Sequence, residues 1–84
     1  MPLEYMKYAT ANKQAVSDAD EWCCIYCLEH GIPADIISYC EDTNGLTCIC
    51  PYCSIDAVIP RNVLPSDDIE CENKLREWRQ MGFD

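Results

Sequence analysis

Between Gln14 and Pro60 the chain has no lysine and no arginine. Binding to nucleic acid rests on cations that displace phosphate counterions, so this stretch offers no such surface. Glycine is also scarce, at three residues, and no glycine-rich loop is available to cradle a phosphate. No apolar run approaches the roughly 18 residues of a membrane-spanning helix. The opening segment Met1-Pro2-Leu3-Glu4-Tyr5-Met6-Lys7-Tyr8 carries a glutamate and lacks an apolar core of roughly 7–15 residues, so no secretory signal is expected there. No repeat and no low-complexity segment is present. These absences leave a cytoplasmic protein with no membrane and no nucleic-acid contact as the expectation.

Acid and cysteine are abundant. Asp18, Asp20, Glu21, Glu29, Asp35, Glu41, Asp42 and Asp56 all fall in the cation-free stretch, and the formal net charge is −9. Such a charge favours solubility and basic partners, and says nothing about fold. With 84 residues there is room for one domain only. A chain of this size buries about 60% of the surface its unfolded form exposes, so a further staple is expected. Eight cysteines supply candidates for it. In a reducing compartment they are thiols free to bind metal; a disulfide framework would need an oxidising one.

Along the chain, Leu3, Met6, Ala9, Lys13 and Val16 fall near one helical face, so residues 1–21 read as an N-terminal segment, a short helix or a tail. Residues 22–84 read as the folded unit. Trp22-Cys23-Cys24-Ile25-Tyr26-Cys27 suits a strand running into a tight turn. After Gly31-Ile32-Pro33, a helix is expected over 34–40, with Ile36, Ile37 and Cys40 on its apolar face. Asn44-Gly45 signals a turn, Leu46–Ile49 a second strand, and Ala57–Ile59 a third, ended by Pro60. The clearest helix is the last. Pro65-Ser66-Asp67-Asp68 caps it with negative charge, Cys71, Leu75 and Trp78 form its apolar stripe with Ile69 and Met81 nearby, and Gly82 closes it. Glu70–Lys74 and Glu72–Arg76 are spaced as helical ion pairs.

Cys24-Ile25-Tyr26-Cys27 and Cys50-Pro51-Tyr52-Cys53 each place two thiols three residues apart, with 22 residues between the pairs. Four thiolates form the tetrahedron that one structural zinc ion requires. A tight turn between the members of a pair aims backbone N–H groups at the sulfurs, and Pro51 fixes φ for such a turn. The residue after the second cysteine of a knuckle is often glycine; here it is Ser54. In the first pair Cys23 competes with Cys24, and spacing favours Cys24. The metal ligands are therefore taken as Cys24, Cys27, Cys50 and Cys53. The same thiolates could hold an iron–sulfur cluster. A thioredoxin-like redox pair would need a βαβ frame that neither motif has. Four closed ligands leave no open position for catalysis, so no catalytic residue is assigned.

Cys23, Cys40, Cys48 and Cys71 remain. None forms a pair with metal-binding spacing, and Cys40 and Cys71 read as small buried hydrophobes on helical faces. His30, the only histidine, reads as solvated beside Gly31.

The stretch Cys48-Ile49-Cys50-Pro51-Tyr52-Cys53-Ser54-Ile55-Asp56-Ala57-Val58-Ile59 resembles small bacterial and phage cytoplasmic proteins carrying Cys-Pro-Tyr-Cys-Gly-Ile-Asp-(Ser/Ala)-Val-Ile. They share an upstream Cys-x-x-Cys, an acidic spacer and a short C-terminal helix with a tryptophan near a final phenylalanine, here Trp78 and Phe83. The resemblance spans residues 22–83 and departs at Ser54. It implies a zinc-ribbon fold in a family with no established activity.

The expected fold is small α+β: a zinc ribbon of short antiparallel strands and two cysteine knuckles, with a C-terminal helix. The expected function is a non-catalytic, acidic interaction module that binds a protein with a basic face. Two other readings stand beside it, a phage-type inhibitor that mimics nucleic-acid charge and a thiol- or zinc-dependent enzyme. The only basic patch available would come from Arg61, Lys74, Arg76 and Arg79.

Overall fold

A computed structural model describes residues 6–42 and 45–83. The chain forms a small α+β protein with a zinc-ribbon-like pair of knuckles. Two short helices, α1 (Met6–Ala9) and α2 (Lys13–Asp18), come first. Strand β1 (Trp22–Cys24) then lies between β2 (His30–Gly31) and β5 (Val58–Pro60), antiparallel to both. A second antiparallel pair joins β3 (Tyr39–Asp42) to β4 (Gly45–Cys48). The C-terminal helix α3 runs Asp68–Phe83.

Strand β1 reads Trp-Cys-Cys and is buried along its whole length, as is β5. This fits a central strand covered on both faces. Its register sets Trp22 opposite Pro60, Cys23 opposite Ile59 and Cys24 opposite Val58. On the other side Trp22 faces Gly31 and Cys23 faces His30. The Trp22 indole donates from Nε1 to the Ile32 carbonyl at 2.7 Å, so the largest core side chain leaves no polar atom unpaired. Gly31 is required by that packing. A Cβ there would lie 2.9 Å from Trp22 Cζ2 and would overlap the Asp35 carboxylate.

The expected helix over 34–40 does not form. Pro33–Asp35 makes one 3-10 turn, Ile36 turns extended at ψ 114°, and β3 begins at Tyr39. Ile36 is buried whereas Ile37 is 81% exposed, an alternation of period two that belongs to extended chain. Cys40 accordingly sits exposed on β3 and not on an apolar helical face. In so short an apolar run the two periods cannot be told apart, and pairing with β4 decides between them. The expected Asn44-Gly45 turn falls partly on Asn44, outside the described residues, as does Leu3.

The N-terminal helices belong to the core. Ala9 and Val16 are buried in it. Asn12, just before α2, is buried, with a relative exposure of 3%. Its Nδ2 donates to the carbonyls of Tyr8 (2.8 Å) and Val58 (2.6 Å), and its Oδ1 accepts from the Cys48 N–H at 3.0 Å. One carboxamide thus ties the first helix to both sheets with its two N–H donors and its oxygen in use. Ala11, left-handed at φ 49°, donates its N–H to Thr47 Oγ1 at 2.8 Å, a second link to β4.

Helix α3 buries Cys71, Leu75 and Trp78, the stripe read from the sequence, and leaves Ile69 and Met81 exposed. Asp67 Oδ2 accepts the Glu70 N–H at 3.0 Å, completing the expected cap. The helix runs through Gly82 and does not end at it. Glu72 and Arg76 pair at 2.7 Å as expected. Lys74 instead reaches Glu77 at 3.6 Å and lies 5.4 Å from the Trp78 ring centroid. Arg79 fastens the helix to the first knuckle by donating from Nε to the Tyr26 carbonyl at 2.7 Å.

Candidate metal centre

Each knuckle is built the same way. In the first, the Cys24 N–H donates to the Glu29 carbonyl and the Leu28 N–H to the Cys24 carbonyl, at 2.8 and 3.0 Å. In the second, the Cys50 N–H donates to the Ile55 carbonyl and the Ser54 N–H to the Cys50 carbonyl, at 3.0 and 2.9 Å. Closing so tight a loop forces the residue after the second cysteine into the left-handed region. Leu28 has φ 65° and Ser54 has φ 63°. These are positions where glycine costs nothing, which accounts for the glycine expected at position 54. The first knuckle meets the same demand with leucine.

The two loops bring Cys24, Cys27, Cys50 and Cys53 together, with all four sulfurs within 4.8 Å of one another. Cys24 Sγ lies 3.6 Å from Cys53 Sγ, and Cys27 Sγ lies 3.6 Å from Cys50 Sγ. A metal–sulfur bond of about 2.3 Å in a tetrahedron gives sulfurs about 3.8 Å apart. A disulfide would need about 2.05 Å. The cluster therefore fits a tetrahedral metal ion, and its four thiols are not bonded to one another. Among the described residues, no other group of three or more histidine, cysteine or acidic side chains converges in this way.

Strand geometry explains why Cys24 and not Cys23 joins the cluster. Successive residues on β1 point to opposite faces. Cys24 faces the second knuckle, whereas Cys23 faces away, towards a cleft that Cys71 of α3 also lines. Both are buried, so neighbouring thiols occupy separate environments. Burial, reinforced by the Cys71 sulfur, pushes the Cys23 thiol up to about 12. Burial also raises Cys48, to about 11, with Lys13 opposing.

Within the cluster burial raises Cys24 well above the ordinary thiol range, against the pull of the Cys27 and Tyr26 N–H groups. Cys27 is raised for the same reason, with the Glu29 N–H opposing. At Cys50 burial is outweighed. Backbone N–H groups of Cys53 and Tyr52 point at its sulfur and hold its thiol below the ordinary value. The turn backbone thus supplies part of the positive charge that a cluster of thiolates needs.

The remaining cysteines separate. Cys48 is buried in β4, Cys40 is exposed on β3, and Cys23 on β1 and Cys71 on α3 are both buried and line one cleft. Their place on one cleft carries no spacing signal, because 47 residues lie between them. Asn12 also escapes sequence reading: an asparagine before a helix looks like a cap, but its side chain caps nothing here and points into the core. His30 is exposed on β2. No helix among the described residues is long and apolar enough to cross a membrane.

Compared with protein families, curated proteins and solved structures, the chain has no match.

Proposed function

We propose that this chain is a non-catalytic, zinc-stabilised interaction module whose acidic surface binds a protein partner with a basic face. The observation that carries the proposal is the four-thiol cluster. Four sulfurs at tetrahedral spacing use every position around one ion, leaving none for a water or a substrate. Soft thiolates in this geometry suit zinc, which has no redox chemistry of its own. The ion's role is to hold two knuckles together in a chain too small to rely on its apolar core.

Charge supports the choice of partner. Asp18, Asp20, Glu21, Glu29, Asp35 and Glu41 are all exposed. The cations of the only candidate basic patch are each engaged within the fold. Arg61 donates to the carbonyls of Pro65 and Ser66, Arg76 pairs with Glu72, Lys74 with Glu77, and Arg79 bonds Tyr26. Recruiting them to a phosphate backbone would break those contacts. We take the protein to work in the cytoplasm with its thiols reduced, as the resembling bacterial and phage proteins do.

Native mass spectrometry of the protein isolated from its own host tests this reading. One zinc per chain and a co-purifying basic protein are expected. A metal-loaded, folded chain that retains an exchangeable water ligand, or that recovers no protein partner, would overturn it. The cation-free stretch from 15 to 59 supports a narrower version, in which the acids occupy the nucleic-acid groove of a basic partner. In that case affinity falls steeply between low and high salt, and a flat salt dependence removes it.

A further inference from the structure

We infer that the cleft between the ribbon and helix α3 is where the partner docks, and that its occupant is a segment of that partner with one apolar anchor side chain flanked by lysine or arginine. The inference rests on the proposed acidic module and gives it a place and a sequence pattern.

The cleft has a volume of about 990 Å³, at the upper end of the roughly 300–1,000 Å³ common for concave binding sites. Its floor is apolar: Leu28, Leu64 and Leu75 line it together with Cys23 and Cys71. These residues come from distant parts of the chain, and each part is fixed. Leu28 closes the first knuckle onto the Cys24 carbonyl, the Leu64 N–H donates to the Arg61 carbonyl at 3.1 Å, and Arg79 ties α3 to Tyr26. Walls held in this way need little ordering when a segment enters.

The rim is acidic. Asp20, Glu21, Asp68 and Glu72 border the cleft and are exposed. Against these four carboxylates the lining holds one permanent cation, Arg61. That guanidinium is committed: it donates to the Pro65 and Ser66 carbonyls at 2.7 and 3.3 Å and lies 3.7 Å from Asp68. An anion entering the cleft meets an excess of carboxylates, whereas a lysine or arginine meets its complement.

Floor and rim together select the occupant. A buried anchor at the centre of an interface supplies affinity, and charge around it supplies steering and register. A purely basic segment would leave the leucines in water. A purely apolar one would leave the rim unmatched. An apolar side chain with cations on both sides satisfies both.

The test selects a random peptide library, displayed on phage, against the metal-loaded full chain at physiological salt; the enriched peptide is then synthesised as the probe. An apolar residue with lysine or arginine on both sides is expected, and its titration should shift the methyl resonances of Leu28, Leu64 and Leu75. Replacing the peptide's apolar anchor by serine should weaken binding about tenfold or more. Reversing two rim charges, Asp20→Lys with Glu21→Lys, should weaken it about twentyfold or more. The control Glu41→Lys with Asp56→Lys, outside the cleft, should change it less than about threefold, because charge is screened over about 8 Å at this salt. The methyl shifts are read in the unsubstituted chain, so a poorly folded variant leaves the result intact. Basic peptides that shift Ile37 or Ile69 instead, or that respond equally to both charge reversals, overturn the cleft and leave the acidic module standing. Enrichment of peptides without cations overturns both. Equal binding of the serine-substituted peptide, a selection that enriches nothing, or the same methyl shifts on self-association of the chain without peptide also overturns the inference.

Discussion

Leu28 and Ser54 occupy the same place in two halves of one site, each left-handed and each closing its knuckle onto the carbonyl of the first cysteine. Holding a residue other than glycine in that region costs about 1–3 kcal/mol, and glycine gives back about 0.4–1 kcal/mol through the freer unfolded chain. The difference fixes the first prediction. Ser54→Gly should be neutral or stabilising by up to about 2.5 kcal/mol, because Ser54 is exposed and has little packing to lose. Ser54→Val should destabilise, since a branched side chain is poorly tolerated at positive φ. Leu28→Gly should also destabilise, because Leu28 packs against the core. Urea denaturation of the metal-loaded protein measures all three; a stabilising Ser54→Val would remove the argument.

The four clustered thiols are distinguishable from their neighbour by substitution. Replacing Cys24, Cys27, Cys50 or Cys53 by serine should abolish stoichiometric metal binding and the cooperative unfolding transition. Cys23→Ala should keep the ion and lose about 1 kcal/mol of packing. Chelation should unfold the unsubstituted protein, because structural zinc contributes about 10–16 kcal/mol in small domains, comparable to or larger than the about 5–15 kcal/mol that holds a typical domain together. Metal analysis and circular dichroism read both effects. Loss of metal in Cys23→Ala with retention in Cys24→Ser would reverse the assignment.

Asn12 offers a sharper test of whether the N-terminal helices are integral. Asn12→Asp keeps the shape and replaces the two N–H donors with an acceptor facing the Tyr8 and Val58 carbonyls. It should cost about 3 kcal/mol or more. Asn12→Ala leaves the same carbonyls and the Cys48 N–H without partners, at about 1–3 kcal/mol for each group that water cannot reach. A change below about 0.5 kcal/mol in either variant, the range typical of surface positions, would mean that the segment is only loosely attached.

Gly31→Ala should destabilise by about 1–3 kcal/mol, the usual cost of overpacking. The Asp35 carboxylate can swing aside, but the Trp22 ring, fully buried and pinned by its bond to Ile32, cannot. Fluorescence of the protein should also change, because Trp22 must shift. Unchanged stability and emission in the Gly31→Ala protein would contradict this packing.

The parts of the fold legible in the sequence are those fixed by short-range spacing. Two Cys-x-x-Cys motifs determine their own turns, and the Cys71, Leu75 and Trp78 stripe needs only the helical period. The 34–40 segment failed because Ile36-Ile37 with Cys40 fits a helical face as well as an alternating strand. Its state is decided by β4, which lies outside the segment. The role of Asn12 is invisible for a related reason: it depends on partners tens of residues away. Spacing alone favours Cys24 over Cys23, and strand alternation supplies the physical cause.

That alternation gives the metal a second consequence. A slip of β1 by one residue would turn Cys23 towards the second knuckle and Cys24 towards α3, exchanging the two thiols. The displaced pair, Cys23 and Cys27, would have three residues between its members, and the knuckle could not close as it does. An ion that demands four sulfurs at once would reject the slipped chain during folding. The centre would then act as a gauge of strand alignment as well as a fastening, admitting one register of the central strand and leaving the other unsealed.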